Sequence, residues 1–199
     1  MRINPINDVI SNVQVYGLNE SIKRSKYPKS TDPSKCTDEL TNGIKMLGRV
    51  QTGTGHDQFL TGIIVQFDLT FTKQAWSEAE RYHFLDFISS CSTVHKISKF
   101  KLDECYIKYT DPRMIEIMKE KVEEYNNFEG DEAEKKELYK GLLYSNPCGF
   151  QLTAGMTTNY RQLKTIYQQR KNHILTNEWG LLCEWIETLP MFKELCLEC

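Results

Sequence analysis

The residues of this sequence best suited to binding chemistry are cations near helix ends. Arg161 and Arg170 stand nine residues apart in the stretch NPCGFQLTAGMTTNYRQLKTIYQQRKNHILTNEWGLLCEW, with Asn159 two residues before the first and His173 three after the second. A planar guanidinium suits a phosphate or the polar edge of a base. Asn159 and Arg170 are eleven residues apart, and at about 3.6 residues per turn a continuous helix would put both on one face. Arg161 would then look nearly the opposite way, toward a different site or a different subunit. Solvated helix arginines are the plain alternative, since exposed arginines are the rule.

His83 and His95 form a second set of candidates. A protonated histidine binds an anion, but near neutral pH an unpartnered imidazole is mostly uncharged, so surface or satisfied histidines are the simpler reading. Ser89, Ser90, Ser92 and Thr93 lie between them. Such hydroxyls donate to a phosphate at a turn, and more often cap or turn the chain. His56 sits in a glycine turn that lacks the Lys-Ser/Thr of a phosphate loop. Cys196-Leu197-Glu198-Cys199 resembles half of a zinc site without the second pair. No Ser-His-Asp grouping has local support. The expectation is therefore ligand binding by Arg170, Asn159, Arg161, His83, His95 and Ser92, with no catalytic side chain and no metal.

These residues need elements to hold them. Phe59 to Phe71 is apolar and rich in β-branched and aromatic residues, and Phe67, Leu69 and Phe71 alternate with Asp68 and Thr70. That predicts a strand over 63–71 with one buried face. Helices are predicted from Asn19 to Pro28, Leu40 to Val50, Lys73 to Ser89 and from Asp111-Pro112 to about Tyr125, where Asp is the N-cap and Pro the first helical residue. Asn126 to Lys136 is polar and acidic, and reads as a loop or a helix extension. Two further helices are predicted, Thr157 to Arg170 and Asn177 to Thr188, the latter capped by Thr176 or Asn177 and stopped by Pro190. There is no repeat and no clear linker, so residues 1–199 read as a single α/β domain.

Bulk properties narrow the classes. A net charge of −2 gives no general pull toward nucleic acid or anionic membrane. No apolar run approaches the roughly 20 residues that span a bilayer, and the start Met1-Arg2-Ile3-Asn4-Pro5 lacks the apolar core of a signal peptide. Seven scattered cysteines without such a peptide read as reduced thiols in a cytoplasmic protein.

Two segments resemble the flavin-dependent thymidylate synthases. In that family an Asn-X-Arg opens a helix, an Arg follows nine residues later, a short loop carries a His, and a Trp opens the last helix. Here these fall on Asn159, Arg161, Arg170, His173 and Trp179. The second segment, Gly55 to Lys96, starts Gly55-His56-Asp57, similar to the family's Gly-His-Glu before its strand. The family's Arg-His-Arg signature is replaced by His83-Phe84-Leu85, its later Arg-Tyr by His95-Lys96, and its second His falls near Gly62.

The resemblance implies an antiparallel or mixed sheet packed by long helices, a homotetramer with ligand sites between subunits, and a role for Arg170 in holding a nucleotide. The family moves a methylene group from a folate to deoxyuridine monophosphate and reduces it with a flavin hydride; the cofactor carries the hard step and the protein positions the reactants. Loss of the signature cations implies a noncatalytic or re-purposed relative that binds a pyrimidine nucleotide or another phosphate, with no cofactor. The alternatives are an active synthase methylating deoxyuridine monophosphate with FAD, and an interaction module acting on a host protein, since divergent small relatives of this kind are often carried by bacteriophages.

Overall fold

The computed structural model describes residues 5–197. Its helices, in chain order, are α1 (Pro5–Val9), α2 (Leu18–Arg24), α3 (Asn42–Arg49), α4 (Lys73–Ala79), α5 (Thr93–Lys96), α6 (Pro112–Asn127), α7 (Glu132–Ser145), α8 (Tyr160–Arg170), α9 (Leu181–Ile186) and α10 (Phe192–Cys196). The strands are β1 (Ile10–Tyr16), β2 (Ile64–Thr72), β3 (Asp86–Ser90) and β4 (Gln151–Asn159). They form one antiparallel sheet in the order β1-β2-β4-β3.

The alternation in β2 does what it predicts. Val65, Phe67, Leu69 and Phe71 are buried, while Gln66 is exposed and Asp68 and Thr70 half-buried. On β4, Ala154, Met156 and Thr158 are buried. Against the buried face lie Ala75 and Trp76 of α4, Leu163 and Ile166 of α8, Leu182, Trp185 and Ile186 of α9, and Phe192 of α10. A second, smaller core of Ile97, Leu102, Met118, Leu142 and Phe150 lies under the α6–α7 hairpin. Asp111 caps α6 by accepting from the Arg113 backbone N–H, and Asp131 caps α7 by accepting from those of Ala133 and Glu134.

Four sequence expectations change. The helix expected over Lys73 to Ser89 ends at Ala79, and Asp86–Ser90 is strand β3. Phe84 has φ 63°, which a continuing right-handed helix does not allow, and the chain beyond it pairs with β4. The polar stretch from Asn126 is the end of α6, a short turn and the start of α7. The helix expected from Thr157 begins at Tyr160, because β-branched Thr157 and Thr158 pair with Gln66 and Val65 in the sheet. The helix expected from Asn177 starts as a π-helical turn, Thr176–Gly180, before α9, and no side chain caps it. Cys199, and with it the Cys196/Cys199 pair, lies outside the described residues.

Candidate functional site

The first two turns of α8 hold two cations on one side, Arg161 and Lys164, because residues three apart are neighbours on a helix. Arg161 and Lys164 both reach Asp57, the last residue of the Gly55-His56-Asp57 turn. Arg161 Nε donates to Asp57 Oδ1 at 3.1 Å and Lys164 Nζ to Oδ2 at 3.4 Å. Asp57 and Lys164 are fully buried, whereas a quarter of the Arg161 side chain stays exposed (24%). Lys164 Nζ also donates to the carbonyls of Gly48 and Val50. Two cations share one carboxylate, so the group keeps a unit of positive charge, and Arg161 is its outward face.

Arg161 lines a cleft of about 480 Å³ together with Asn159, Gln162, Thr52, Gln58 and Phe84. Its Nη1 donates to Gln58 Oε1 at 3.1 Å. Asn159 ends β4 and caps α8, its Oδ1 accepting from the Gln162 backbone N–H at 3.0 Å. The Thr52 hydroxyl is buried with no hydrogen-bond partner among the described residues. The N-terminus of α8 adds the positive end of an eleven-residue helix dipole. Phe84, 65% exposed and held in the left-handed region, stands at the rim. An aromatic residue at positive φ is strained and persists where the surroundings fix it, as at ligand clamps; here the Thr158 hydroxyl holds the Phe84 carbonyl at 2.7 Å.

Asn159 and Arg170 do not share a helix face. Asn159 stands before the first turn and Arg170 closes the last one. Arg170 is 15% exposed and turned inward: Nη1 donates to Glu78 Oε2 at 2.7 Å, Nε to the Tyr82 hydroxyl at 2.7 Å, and the guanidinium lies 4.6 Å from the centre of the Trp179 ring. His173 Nε2 lies 3.4 Å from the same Glu78 oxygen. His83 is exposed in the turn after α4, His95 is exposed on α5, and Ser92 is half-buried at the start of α5 without a capping bond. The cleft wall described above contains none of these three histidine and serine side chains. At Gly62, where the resemblance expects a histidine, an added Cβ would come within 2.4 Å of the Ser21 Oγ.

Sequence reasoning missed Thr52, Gln58, Lys164 and a positive use for Phe84. The Arg161-Lys164 spacing was the available signal for this cation pair. Burial pushes the Cys183 thiol up to about 12 and the Cys196 thiol up as well, so neither is a ready thiolate. Among the described residues, no group of three or more His, Cys, Asp or Glu is placed to hold a metal ion, and no helix is long and apolar enough to cross a membrane.

No protein-family model and no curated protein sequence matches the chain. Solved structures do. A flavin-dependent thymidylate synthase ThyX from Helicobacter pylori, complexed with FAD and dUMP, superposes with a TM-score of 0.68 at 15% identity, covering 96% of this chain and 97% of that one. A second structure of Thymidylate Synthase X from the same organism, with FAD and dUMP, gives a TM-score of 0.67 at 15% identity, covering 94% of this chain and 100% of the other. The chain therefore has the thymidylate synthase X fold over nearly its whole length.

Proposed function

We propose that this chain is a noncatalytic or re-purposed thymidylate synthase-like protein that binds a pyrimidine mononucleotide, or a similar phosphate ligand, at the start of α8. The observation that carries this is the excess positive charge of the Arg161–Asp57–Lys164 group, opening on a cleft that also offers the unpartnered Thr52 hydroxyl. Phosphate oxygens would take the outer edge of Arg161 and the Asn159 amide, and the base would lie on Phe84. The solved neighbours hold FAD and dUMP, which supports a nucleotide as the ligand class.

A whole flavin dinucleotide fits these residues poorly. Its two phosphates call for more than one outward cation, yet Lys164 is fully buried and turned to backbone carbonyls, and two of the Arg161 nitrogens are engaged by Asp57 and Gln58. Absorbance of the purified protein checks this: no flavin spectrum should survive dialysis, and a retained yellow cofactor would restore the active-synthase reading. The weight that the sequence puts on Arg170 moves to Arg161, because Glu78 already neutralises Arg170.

Calorimetry with deoxyuridine monophosphate tests the site. Arg161→Ala should weaken binding by about 1.5–3 kcal/mol, the usual worth of a charge-assisted hydrogen bond. Failure to bind at millimolar nucleotide, or equal affinity in the variant, would overturn the proposal. We also propose a homotetramer, supported by an edge strand β3 whose five residues are all exposed, Phe87 and Ile88 among them. Light scattering should give four times the chain mass at micromolar concentration; a monomer would remove the shared-site arrangement.

A further inference from the structure

A second cleft, of about 590 Å³, lies across the molecule's two cores, between the start of α6, the turn at Pro147–Gly149 and the π-helical turn Thr176–Gly180. That volume is in the range that holds small molecules. Ile107, Tyr109, Met114, Ile174 and Leu175 make its wall mostly apolar. Tyr109 is 69% and Ile174 87% exposed, so large apolar side chains stand at the mouth without cover.

The charged groups that line this cleft have one sign. Its charged residues are Asp111 and Glu178, and neither lysine, arginine nor histidine lines it. Asp111 is spent on Arg113 and on the cap of α6. Glu178 is different. It is 4% exposed, its Oε1 accepts from the Thr72 hydroxyl at 2.8 Å, and its other oxygen has no hydrogen-bond partner among the described residues. The buried Thr110 hydroxyl on the same wall also lacks a partner. Burial pushes the Glu178 carboxyl above the ordinary carboxylate range, since low dielectric disfavours the charged form. Glu178 owes its place to the π-helical turn, an irregularity found frequently at functional sites.

The geometry points to a binding site for a small organic amine with a compact apolar body, its ammonium held by the free oxygen of Glu178 and the Thr110 hydroxyl. A protonated amine brings a countercharge into a cleft that no lysine, arginine or histidine lines, and a donor for the free oxygen of Glu178. The apolar wall takes the hydrocarbon. An anion, the nucleotide of the first cleft included, meets the Glu178 carboxylate and no lining cation, so this site is separate in chemistry as well as in place.

Titration with 2-phenylethylamine and phenylacetate, followed by ligand-observed NMR, tests the assignment on the intact chain. The amine should bind at least about tenfold more tightly than the carboxylate, as one charge-assisted hydrogen bond implies. Glu178→Gln keeps an acceptor for Thr72 and should erase that preference. Met114→Trp, a change at a half-exposed rim position that fills the cleft, should abolish amine binding while deoxyuridine monophosphate binding stays as in the parent. Equal binding of the two probes, a preference that survives in Glu178→Gln, amine binding undiminished in Met114→Trp, or no amine binding at millimolar concentration would each overturn the assignment.

Discussion

Asp57→Ala should cost about 3–5 kcal/mol of unfolding free energy, the usual effect of removing one partner from a buried ion pair. The reason is the count of charges left behind. Asp57 is fully buried and is, among the described residues, the one carboxylate bonded to Arg161 and Lys164. Without it Lys164, also fully buried, keeps only the carbonyls of Gly48 and Val50. Those dipoles do not balance a charge, so the lysine must deprotonate or drag water inward. Lys164→Met should cost less, since Arg161 still compensates Asp57 and a methionine fills much of the lysine volume. Urea unfolding of the parent and both variants measures the difference. A loss below about 1 kcal/mol in Asp57→Ala would mean that the carboxylate is a surface-like partner, worth what exposed pairs are worth.

Trp179→Ala should be comparably damaging, about 3–5 kcal/mol for a large aromatic removed from a packed interior. Trp179 is fully buried. Its ring meets Phe71 edge-on with centroids 5.0 Å apart and Tyr82 at 5.7 Å, and its Nε1 donates to Glu78 Oε2 at 2.9 Å. It is also the surface on which Arg170 lies. Alanine would therefore leave a cavity and loosen the Glu78–Arg170 pair beside it. Trp179→Phe keeps the ring and loses the donor, so it should recover most of the loss. If Trp179→Ala and Trp179→Phe melt alike in urea, the Glu78 bond matters more than the packing.

How far these features can be read from the chain depends on distance along it. Strand β2 announces itself because its alternation is local, and α6 because Asp111 and Pro112 mark its start. Strands β1, β3 and β4 do not. Gln, Thr and Gly in β4 carry little pattern, and Phe87–Ser89 is interrupted by a register shift. Their strand character comes from partners far away in sequence. Asn159 shows how small an error moves a site: with the helix begun at Thr157 it faces Arg170, and with the helix begun at Tyr160 it is a cap at the opposite end. Arg170 looks free in the sequence because Glu78, its counterion, is 92 residues away. The overall fold, by contrast, was legible through the ordered set of Asn159, Arg161, Arg170, His173 and Trp179, which survives at spacing close to that of the flavin-dependent thymidylate synthases.

The two central strands, β2 and β4, are joined by everything between Thr72 and Gln151. The first part of that chain, α4 and β3, joins the main sheet, and the rest is an excursion with a core of its own, Ile97, Leu102, Met118, Leu142 and Phe150. Pairing β2 with β4 must close this loop before any hydrogen bond between them forms, so the middle of the sheet is assembled by long-range contacts and folds slowly for the size of the chain. Once assembled, the two cores need not open together. The smaller one holds few large apolar side chains and can come apart as a unit while the main sheet persists. The apolar cleft, with one wall on α6, would then breathe on the timescale of that partial opening, and a guest there would be admitted or released at a rate set by the small core rather than by diffusion.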